Sequence, residues 1–154
     1  MSVLASNKRA HFDYDISDTY EAGLVLYGHE VKSIKASHIS LKGSFVTSKK
    51  TKNLLPEFYL SNAHVSPYKY AGKIKDYSPD RPRKLLLSKK EISFLIGKKQ
   101  EQGLTIIPIK IYTKKGLVKL EIGVGRGKRK YEKREDIKKR DIAREIKSAI
   151  KAGR

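Results

Sequence analysis

The chain has 154 residues, enough for one domain of ordinary size around one hydrophobic core. Its 35 Lys and Arg residues against 16 Asp and Glu residues give a formal net charge of +19, an excess that indicates a polyanionic partner. The absence of cysteine excludes disulfides, cysteine zinc sites and thiol nucleophiles. Because 38% of the residues are hydrophobic, we expect the chain to fold.

The sequence carries no pattern typical of a metal site, a cofactor site or a membrane segment. The four histidines lie 18, 9 and 26 positions apart, so no two of them have the i, i+4 spacing that places two ligands on one helical face. We therefore expect neither a metal nor a cofactor. The N-terminus lacks a signal-peptide pattern and no apolar stretch is long enough to span a bilayer, which predicts a cytoplasmic protein.

The N-terminal third is expected to hold two strands and a short helix. Apolar and polar residues alternate over residues 12–16, a pattern that predicts a half-buried strand. An aromatic and β-branched run predicts a second strand over residues 20–27. Apolar residues at helical intervals predict one or two helical turns over residues 29–36.

A hairpin and a long loop are expected next. Residues 41–47 and 54–63 are predicted to pair, with Pro56 placing the second strand at an edge or delaying its start. Residues 66–82 are rich in Pro, Tyr, Gly and Asp, which predicts a long ordered loop.

A helix and a second hairpin are expected toward the C-terminal end of the domain. Ser88 and Glu91 have the spacing of a capping box, which predicts the start of a helix, and Gly103 is expected to end it. Residues 104–112 and 117–124 are predicted to form the hairpin, with Pro108 at an edge or a bulge. The isoleucines expected on one face of its first strand are Ile107, Ile109 and Ile111.

These elements predict a mainly β protein with short helices. Six strands with a helix inserted before the final hairpin favour an OB-fold-like antiparallel β-barrel with peripheral helices over residues 1–125. The alternative is an antiparallel sheet with helices on one face.

The composition changes over residues 126–154. This segment contains 13 Lys or Arg and 5 Asp or Glu, a net charge of +8, which leaves +11 on residues 1–125. Ile142, Ile146, Ala149 and Ile150 recur at helical intervals behind Asp136, a candidate N-cap. Because so thin an apolar stripe does not stabilise an isolated helix, we predict a basic C-terminal tail that is disordered when free and helical on a partner.

No motif favours catalysis. Residues 123–128 end in Gly-Lys after a predicted strand, but a Walker A loop requires Gly at Ile122 and Ser or Thr at Arg129. We interpret this segment as a flexible strand exit. No nucleophile elbow is present and nothing places a third ligand near the paired carboxylates, so we predict a protein that is not an enzyme. A metal-dependent nuclease is the enzyme alternative.

Basic clusters favour nucleic-acid binding. Pro82 restricts the basic segment 81–84, so that less entropy is lost when it binds phosphate. Tyr68, Tyr70 and Tyr77 lie in the predicted loop, where stacking on exposed bases is an alternative to a structural role. The basic residues expected to contact RNA are Lys8, Arg9, Lys32, Arg83, Lys84 and Lys128.

Six sequence blocks resemble one bacterial family. In chain order they are residues 7–11 (NKRAH), 20–24 (YEAGL), 28–33 (GHEVKS), 64–68 (HVSPY), 83–87 (RKLLL) and 127–134 (GKRKYEKR). In content and spacing they resemble the SsrA-binding proteins (small protein B, SmpB), partners of transfer-messenger RNA (tmRNA, or SsrA RNA). The chain departs from the family at Glu132, where Asp is common, and at Gly43, where an acid is common.

The resemblance implies an OB-type barrel that binds the tRNA-like domain of tmRNA. It places RNA contacts at Asn7, Glu21 and Leu86. Glu21 accepts from a guanine edge or, alternatively, holds a basic neighbour in place. Leu86 packs on an unstacked base, although a leucine in this context is otherwise a core residue.

The resemblance also implies a role for the tail in trans-translation, the rescue of stalled ribosomes with peptide tagging. The protein stands in for the missing anticodon arm, and its tail probes the decoding centre of 16S rRNA and the empty mRNA channel. Elongation factor Tu and alanyl-tRNA synthetase act on the same complex. The tail residues expected to contact the ribosome are Tyr131, Lys133, Arg134, Ile137, Lys138 and Arg140. The alternative is a basic ribosomal or general single-stranded RNA-binding OB-fold protein.

Overall fold

Antiparallel strands make up most of the fold. The computed structural model describes residues 2–52, 55–101 and 103–152, apart from the side chains of residues 130–132, 151 and 152. The strands are β1 (Ser2–Ser6), β2 (Tyr14–Leu24), β3 (Ile39–Ser40), β4 (Phe45–Lys49), β5 (Glu57–Ser61), β6 (His64–Val65), β7 (Arg83–Leu86), β8 (Leu104–Lys114) and β9 (Leu117–Gly127). The helices are α1 (Ala10–Asp13), α2 (Gly28–Lys35), α3 (Lys89–Gln100) and α4 (Lys130–Ala152), and Lys69–Ala71 forms a 3-10 turn.

Seven strands form one curled sheet. Their order is β1-β8-β9-β2-β7-β5-β4, and β3 and β6 form a separate two-stranded sheet. The C-terminal half of β8 pairs with β1, while its N-terminal half faces β4, the strand at the other edge, across a cleft. The sheet therefore curls into an OB-fold-like barrel that hydrogen bonds do not close, and the predicted fold class is confirmed.

Both predicted hairpins are present. β4 pairs with β5, and β5 begins at Glu57, so Pro56 delays the start of the strand. β8 and β9 are joined through Lys115 and Gly116, whose φ angles of 51° and 78° are those of a tight two-residue turn.

A bulge in β8 decides which isoleucines reach the main core. The pairing of β8 with β9 shifts between Pro108 and Lys110, which confirms the predicted bulge. Because the extra residue reverses the alternation of side chains, Ile107 and Ile109 pack in a small second cluster while Ile111 lies in the main core. The prediction that these three isoleucines share one face is therefore wrong.

One long strand replaces the two strands predicted near the N-terminus. β2 runs through the polar stretch between residues 12–16 and 20–27, with a bulge after Ile16, because its main chain pairs with β9 along almost its whole length. Phe12 lies in α1 instead of a strand. The sequence also fails to predict β1, β3, β6 and β7, none of which exceeds five residues.

Residues 123–127 belong to a paired strand and not to a flexible strand exit, and two glycines make the close packing of that strand possible. β9 continues to Gly127 and pairs with β2, so that interpretation is wrong. A Cβ on Gly123 would lie 2.8 Å from Cδ1 of Ile109, and a Cβ on Gly125 would lie 2.7 Å from the carbonyl oxygen of Asp15. Gly123 thus makes room for the side chains of Ile109 on β8 and Ile16 on β2, and Gly125 lets the main chain of β2 approach β9 closely.

The predicted helices α2 and α3 are confirmed. Ser88 Oγ accepts from the Glu91 backbone N–H at 3.2 Å, and Glu91 Oε1 accepts from the Ser88 N–H at 3.3 Å, as a capping box requires. Ile34 of α2 and Leu95 of α3 are fully buried, so both helices contribute to the core.

Most of the predicted tail forms one helix, and its start differs from the prediction. α4 begins at Lys130, so Asp136 lies inside it and accepts a hydrogen bond from Lys128 Nζ instead of capping the helix. Ile142, Ile146 and Ile150 are 55–58% exposed. Disorder of the tail in the free protein stays a prediction. In the described part of the chain, no helix is both long and apolar enough to cross a bilayer.

A buried carboxylate connects α2, the loop of residues 66–82 and β7. Glu30 is fully buried and accepts from Arg83 Nε at 2.8 Å, from Arg81 Nε at 3.2 Å and from the Tyr77 hydroxyl at 3.1 Å. Arg83 is equally buried and donates to the carbonyls of Ala63 and Pro79 at 2.7 and 2.9 Å. Both charges therefore have the hydrogen bonds that burial demands.

The cluster keeps Glu30 ionised. Burial raises the pKa of its carboxyl, but the hydrogen bonds from Arg81, the Tyr27 backbone N–H and Arg83 outweigh that effect and hold the pKa at about 2. Because this pKa lies below the ordinary value of 4.5, the stabilisation is complete above pH 4.5 and is lost as the pH falls toward 2.

Glu30→Gln tests this cluster. We expect the free energy of unfolding at pH 7 to fall by about 3–5 kcal/mol, because Arg83 keeps a buried charge without its partner. Urea unfolding between pH 7 and pH 2 should show the deficit shrinking below pH 4.5. Glu57→Gln is the control, since Glu57 pairs with half-exposed Lys84 at 3.2 Å and such a pair contributes about 0–1 kcal/mol. A Glu30→Gln protein as stable as the control would contradict the account.

Candidate RNA interface

The two sheet residues expected to contact RNA share the outer face of the sheet. Leu86 of β7 stands opposite Gly23 of β2, and Glu21 lies two residues before Gly23, on the same face. Leu86 is 53% exposed, so it is not a core residue. The pairing of β2 with β7 thus brings two predicted contact residues to one surface, and the RNA contact itself stays a prediction.

Glu21 is held by its neighbours on this face. Its Oε2 accepts from the Tyr112 hydroxyl and from Lys114 Nζ at 3.4 Å. The Tyr112 hydrogen bond is the main reason that the pKa of Glu21 lies below its ordinary value, and burial together with this carboxylate raises the pKa of Tyr112. Glu21 therefore anchors basic and aromatic neighbours, and the described residues leave Oε1 free to accept from a base edge.

Leu86 lines a groove that mixes lysine and apolar side chains. The groove has a volume of about 1060 Å³. Members of its lining are Lys52, Lys84, Lys89, Leu86, Leu87 and Ile92. Lys84 Nζ also bonds Glu57 Oε1 at 3.2 Å, so part of its charge is balanced within the protein. Such a groove suits a phosphate backbone with an unstacked base.

Asn7 lies where β1 ends and serves the fold first. Its Nδ2 donates to the Pro108 carbonyl at 2.9 Å, and its backbone N–H donates to the Ile109 carbonyl at 2.7 Å. These bonds fix the bulge of β8 against the start of α1. Lys8 and Arg9, the next two residues, are exposed.

The start of the tail helix packs on α1. Lys133 Nζ lies 3.2 Å from Asp13 Oδ1, and Arg140 lies 5.2 Å from the centre of the Phe12 ring. Arg9 also bonds Asp13, at 3.2 Å. Burial raises the pKa of Asp13, but its bonds with Arg9 and Lys133 dominate and lower it.

The structure thus joins barrel and tail residues into one basic surface, which we call the junction cluster. Its members are Lys8, Arg9, Lys128, Lys133 and Arg140. Phe12, which sequence reasoning missed, is the ring around which they gather. Its position gives no signal in the sequence, because the packing of α1 against α4 is long-range.

The other predicted tail residues lie outside this cluster. Arg134, Ile137 and Lys138 are exposed on α4. The side chain of Tyr131 lies outside the described residues.

Lys32 is not brought together with the other predicted contacts. It is exposed on α2, where its Nζ lies 5.8 Å from the centre of the Tyr68 ring. The opposite side of α2 carries buried Ile34, which packs into the core.

Arg83 is a predicted RNA contact that the structure places in the interior. Its side chain is fully buried against Glu30, so the prediction that it binds RNA is wrong in this structure. A basic run beside a proline is typical of a surface, and the acid that draws Arg83 inward lies 53 positions earlier.

Sequence reasoning also missed Lys52 and Tyr112. Lys52 reaches the groove only through the pairing of β5 with β7, and Tyr112 reaches Glu21 only through the order of β8, β9 and β2. Neither residue has a local signal.

The fold and the site define a class: an OB-fold-like protein whose exposed groove and basic tail fit a nucleic acid. The family model described as "SmpB protein" matches residues 4–152. The chain therefore belongs to the SmpB protein family, which confirms the resemblance of the six sequence blocks.

Curated relatives and a solved structure agree. The SsrA-binding protein of Thermosipho africanus (strain TCF52B) is 51% identical over 155 residues, 100% of each chain. The SsrA-binding protein of Anoxybacillus flavithermus (strain DSM 21510 / WK1) is 50% identical over 149 residues, 97% of this chain and 93% of the relative. A solved structure described as "tmRNA-SmpB: a journey to the center of the bacterial ribosome" is 40% identical, with a TM-score of 0.64 over 89% of this chain and 95% of the other.

Leu86 and its neighbour Leu85 form a matched pair for testing the groove. Leu86→Ala should leave the unfolding free energy within about 1 kcal/mol of the wild type, because the side chain is mostly exposed, and should weaken RNA binding on the order of tenfold. Leu85 is 3% exposed, so Leu85→Ala should cost about 2–5 kcal/mol of stability. Urea unfolding and gel shift with the tRNA-like domain measure the two effects. Unchanged RNA affinity of Leu86→Ala would remove Leu86 from the interface.

Proposed function

We propose that the chain is a non-catalytic RNA-binding protein that binds the tRNA-like domain of tmRNA and delivers it to stalled ribosomes for trans-translation. The observation that carries the proposal is the family match over residues 4–152. The relatives are named SsrA-binding proteins, and the similar solved structure is described in terms of tmRNA, SmpB and the bacterial ribosome. Because bacterial ribosomes are in the cytoplasm, the protein acts there in this proposal.

The barrel supplies the tmRNA contacts in this proposal. The outer face around Glu21 and Leu86, with the neighbouring groove, offers an acceptor, an apolar contact and lysines within one surface. Lysines neutralise phosphates without reading sequence, whereas the carboxylate and the leucine are the groups suited to particular bases. The interface therefore combines charge with a small number of specific contacts.

The tail supplies the ribosome contact. The 23 residues of α4 make a helix of about 35 Å, and residues 126–154 carry a net charge of +8. A channel walled by rRNA attracts such a segment through counterion release, and mRNA in the channel would exclude it. The tail thereby distinguishes an empty mRNA channel from a filled one. The protein itself takes the place of the anticodon arm that the tRNA-like domain lacks. A disordered tail that becomes helical on the ribosome fits this role.

The two parts of the proposal separate experimentally. Gel shift should show a preference for the tRNA-like domain of tmRNA over ordinary tRNA, because the outer face adds specific contacts to charge. Deletion of residues 131–154 should leave that binding intact and abolish peptide tagging in a translation assay with stalled ribosomes. Thermal unfolding of the shortened chain is the control for folding.

Three outcomes would contradict the proposal. Equal affinity for tRNA would indicate a general RNA-binding protein. Loss of both activities on deletion would contradict the division between barrel and tail. Metal-dependent cleavage of the RNA by purified protein would show an enzyme.

A further inference from the structure

A tyrosine on the loop of residues 66–82 projects into solvent among lysines. Tyr70 is 74% exposed, and Lys69 Nζ lies 4.7 Å from the centre of its ring. The Tyr68 ring meets Tyr70 edge-on at 5.5 Å, and Lys32 lies over Tyr68. We call these four residues, Lys32, Tyr68, Lys69 and Tyr70, the tyrosine platform.

The exposure of Tyr70 has no explanation in the packing of the fold. The third tyrosine of this loop, Tyr77, shows the contrast, because its hydroxyl shares its one proton between the Val65 carbonyl at 3.0 Å and Glu30 at 3.1 Å. Tyr77 is therefore structural, and stacking on a base is assigned to Tyr70 instead. An exposed aromatic ring with cations beside it is the usual arrangement for stacking a nucleobase and neutralising its phosphate.

The platform is held in place before any ligand arrives. Ser33 Oγ donates to the Ser66 carbonyl at 2.6 Å, and the Ser66 N–H donates to the His38 carbonyl at 3.1 Å. The far end of the loop is fixed by Tyr77 and by the bond from Arg83 to the Pro79 carbonyl. A preformed surface loses little conformational freedom on binding.

The platform is also separate from the Glu21 and Leu86 face. Lys32 belongs to the exposed side of α2, whose buried residue Ile34 packs into the core enclosed by the sheet. Glu21 and Leu86 point away from that core, on the outer face of β2 and β7. A nucleic acid bound at both surfaces would therefore use a different segment at each.

We propose that the tyrosine platform is a second RNA-binding site, which takes an unpaired nucleotide by stacking its base on Tyr70 while Lys32 and Lys69 contact its phosphates. The net charge of +11 on residues 1–125 favours RNA over an uncharged partner. The proposal deepens the proposed function by giving the barrel another RNA contact. Unpaired bases occur in tmRNA and in ribosomal RNA, and both sources have the chemistry that the platform binds.

The absence of tryptophan from the chain allows a direct measurement. Tyr70→Trp introduces a single tryptophan, and a base stacked on it quenches its fluorescence. We expect saturable quenching by an unstructured oligouridine and much less by a duplex of the same length, whose bases are already paired. Phe94→Trp is the matched control, because Phe94 is also exposed, at 45%, with Lys98 Nζ at 5.4 Å from its ring, but it lies on α3 against the Tyr20 ring at 5.8 Å and outside the platform. Equal quenching at positions 70 and 94, equal quenching by duplex, or none at position 70 would overturn the proposal.

Binding measurements on the full chain complete the test. Tyr70→Ala should weaken the binding of the oligouridine about 5- to 150-fold, the effect of losing one stacked base, and Tyr70→Phe should restore it. Titration of the Tyr70→Trp protein with the tRNA-like domain and, separately, with ribosomes identifies the source of the base. If the Tyr70→Trp protein binds the tRNA-like domain normally and its fluorescence responds to no RNA, this inference alone is contradicted, whereas failure of the wild-type chain to bind that domain contradicts the proposed function.

Discussion

The rest of the structure depends on the burial of one carboxylate. Glu30 of α2 lies in the interior with Arg81, Arg83 and Tyr77 around it, and its ionised form persists because these groups and a backbone N–H donate to it. The cluster fixes the C-terminal end of the loop of residues 66–82, and hydrogen bonds of Ser66 hold its N-terminal end. The hydrogen bonds of the cluster offset the free-energy cost of burying two charges. They also make the loop rigid, which any precise contact made by that loop requires.

The charge of the chain divides between structural and binding roles. Arg83 is buried in the interior, and Lys84 pairs with Glu57, just as Arg9 and Lys133 pair with Asp13. Lys128 pairs with Asp136. Cations remain exposed at Lys52 and Lys89 in the groove beside Leu86, at Lys8 and Arg140 in the junction cluster, and along the exposed face of α4. The basic surface is therefore not uniform. It consists of patches on the barrel and along the tail, which fits a protein that holds one RNA while its tail enters a channel lined by another.

Local sequence patterns predict much of the fold, and the features that they do not predict depend on long-range contacts. The capping box at Ser88, the two hairpins and the delayed start of β5 are set by neighbouring residues, so the sequence predicts them. The bulge at Pro108 was predictable, but the face that Ile111 takes beyond it depends on how many residues the bulge adds. In the site, Lys8, Arg9 and Lys128 were predictable as surface cations. The burial of Arg83 and the gathering around Phe12 depend on partners far along the chain, which no local pattern reports.

Hydrogen–deuterium exchange of the full-length protein tests the central claim, that the barrel and the tail bind different RNAs, most directly. With the tRNA-like domain alone, the account predicts slower amide exchange in β2 and β7 and no change over residues 141–152. Addition of ribosomes with an empty mRNA channel should then slow exchange over residues 141–152. Protection of the tail by the tRNA-like domain alone, or no protection of β2 and β7, would contradict the account.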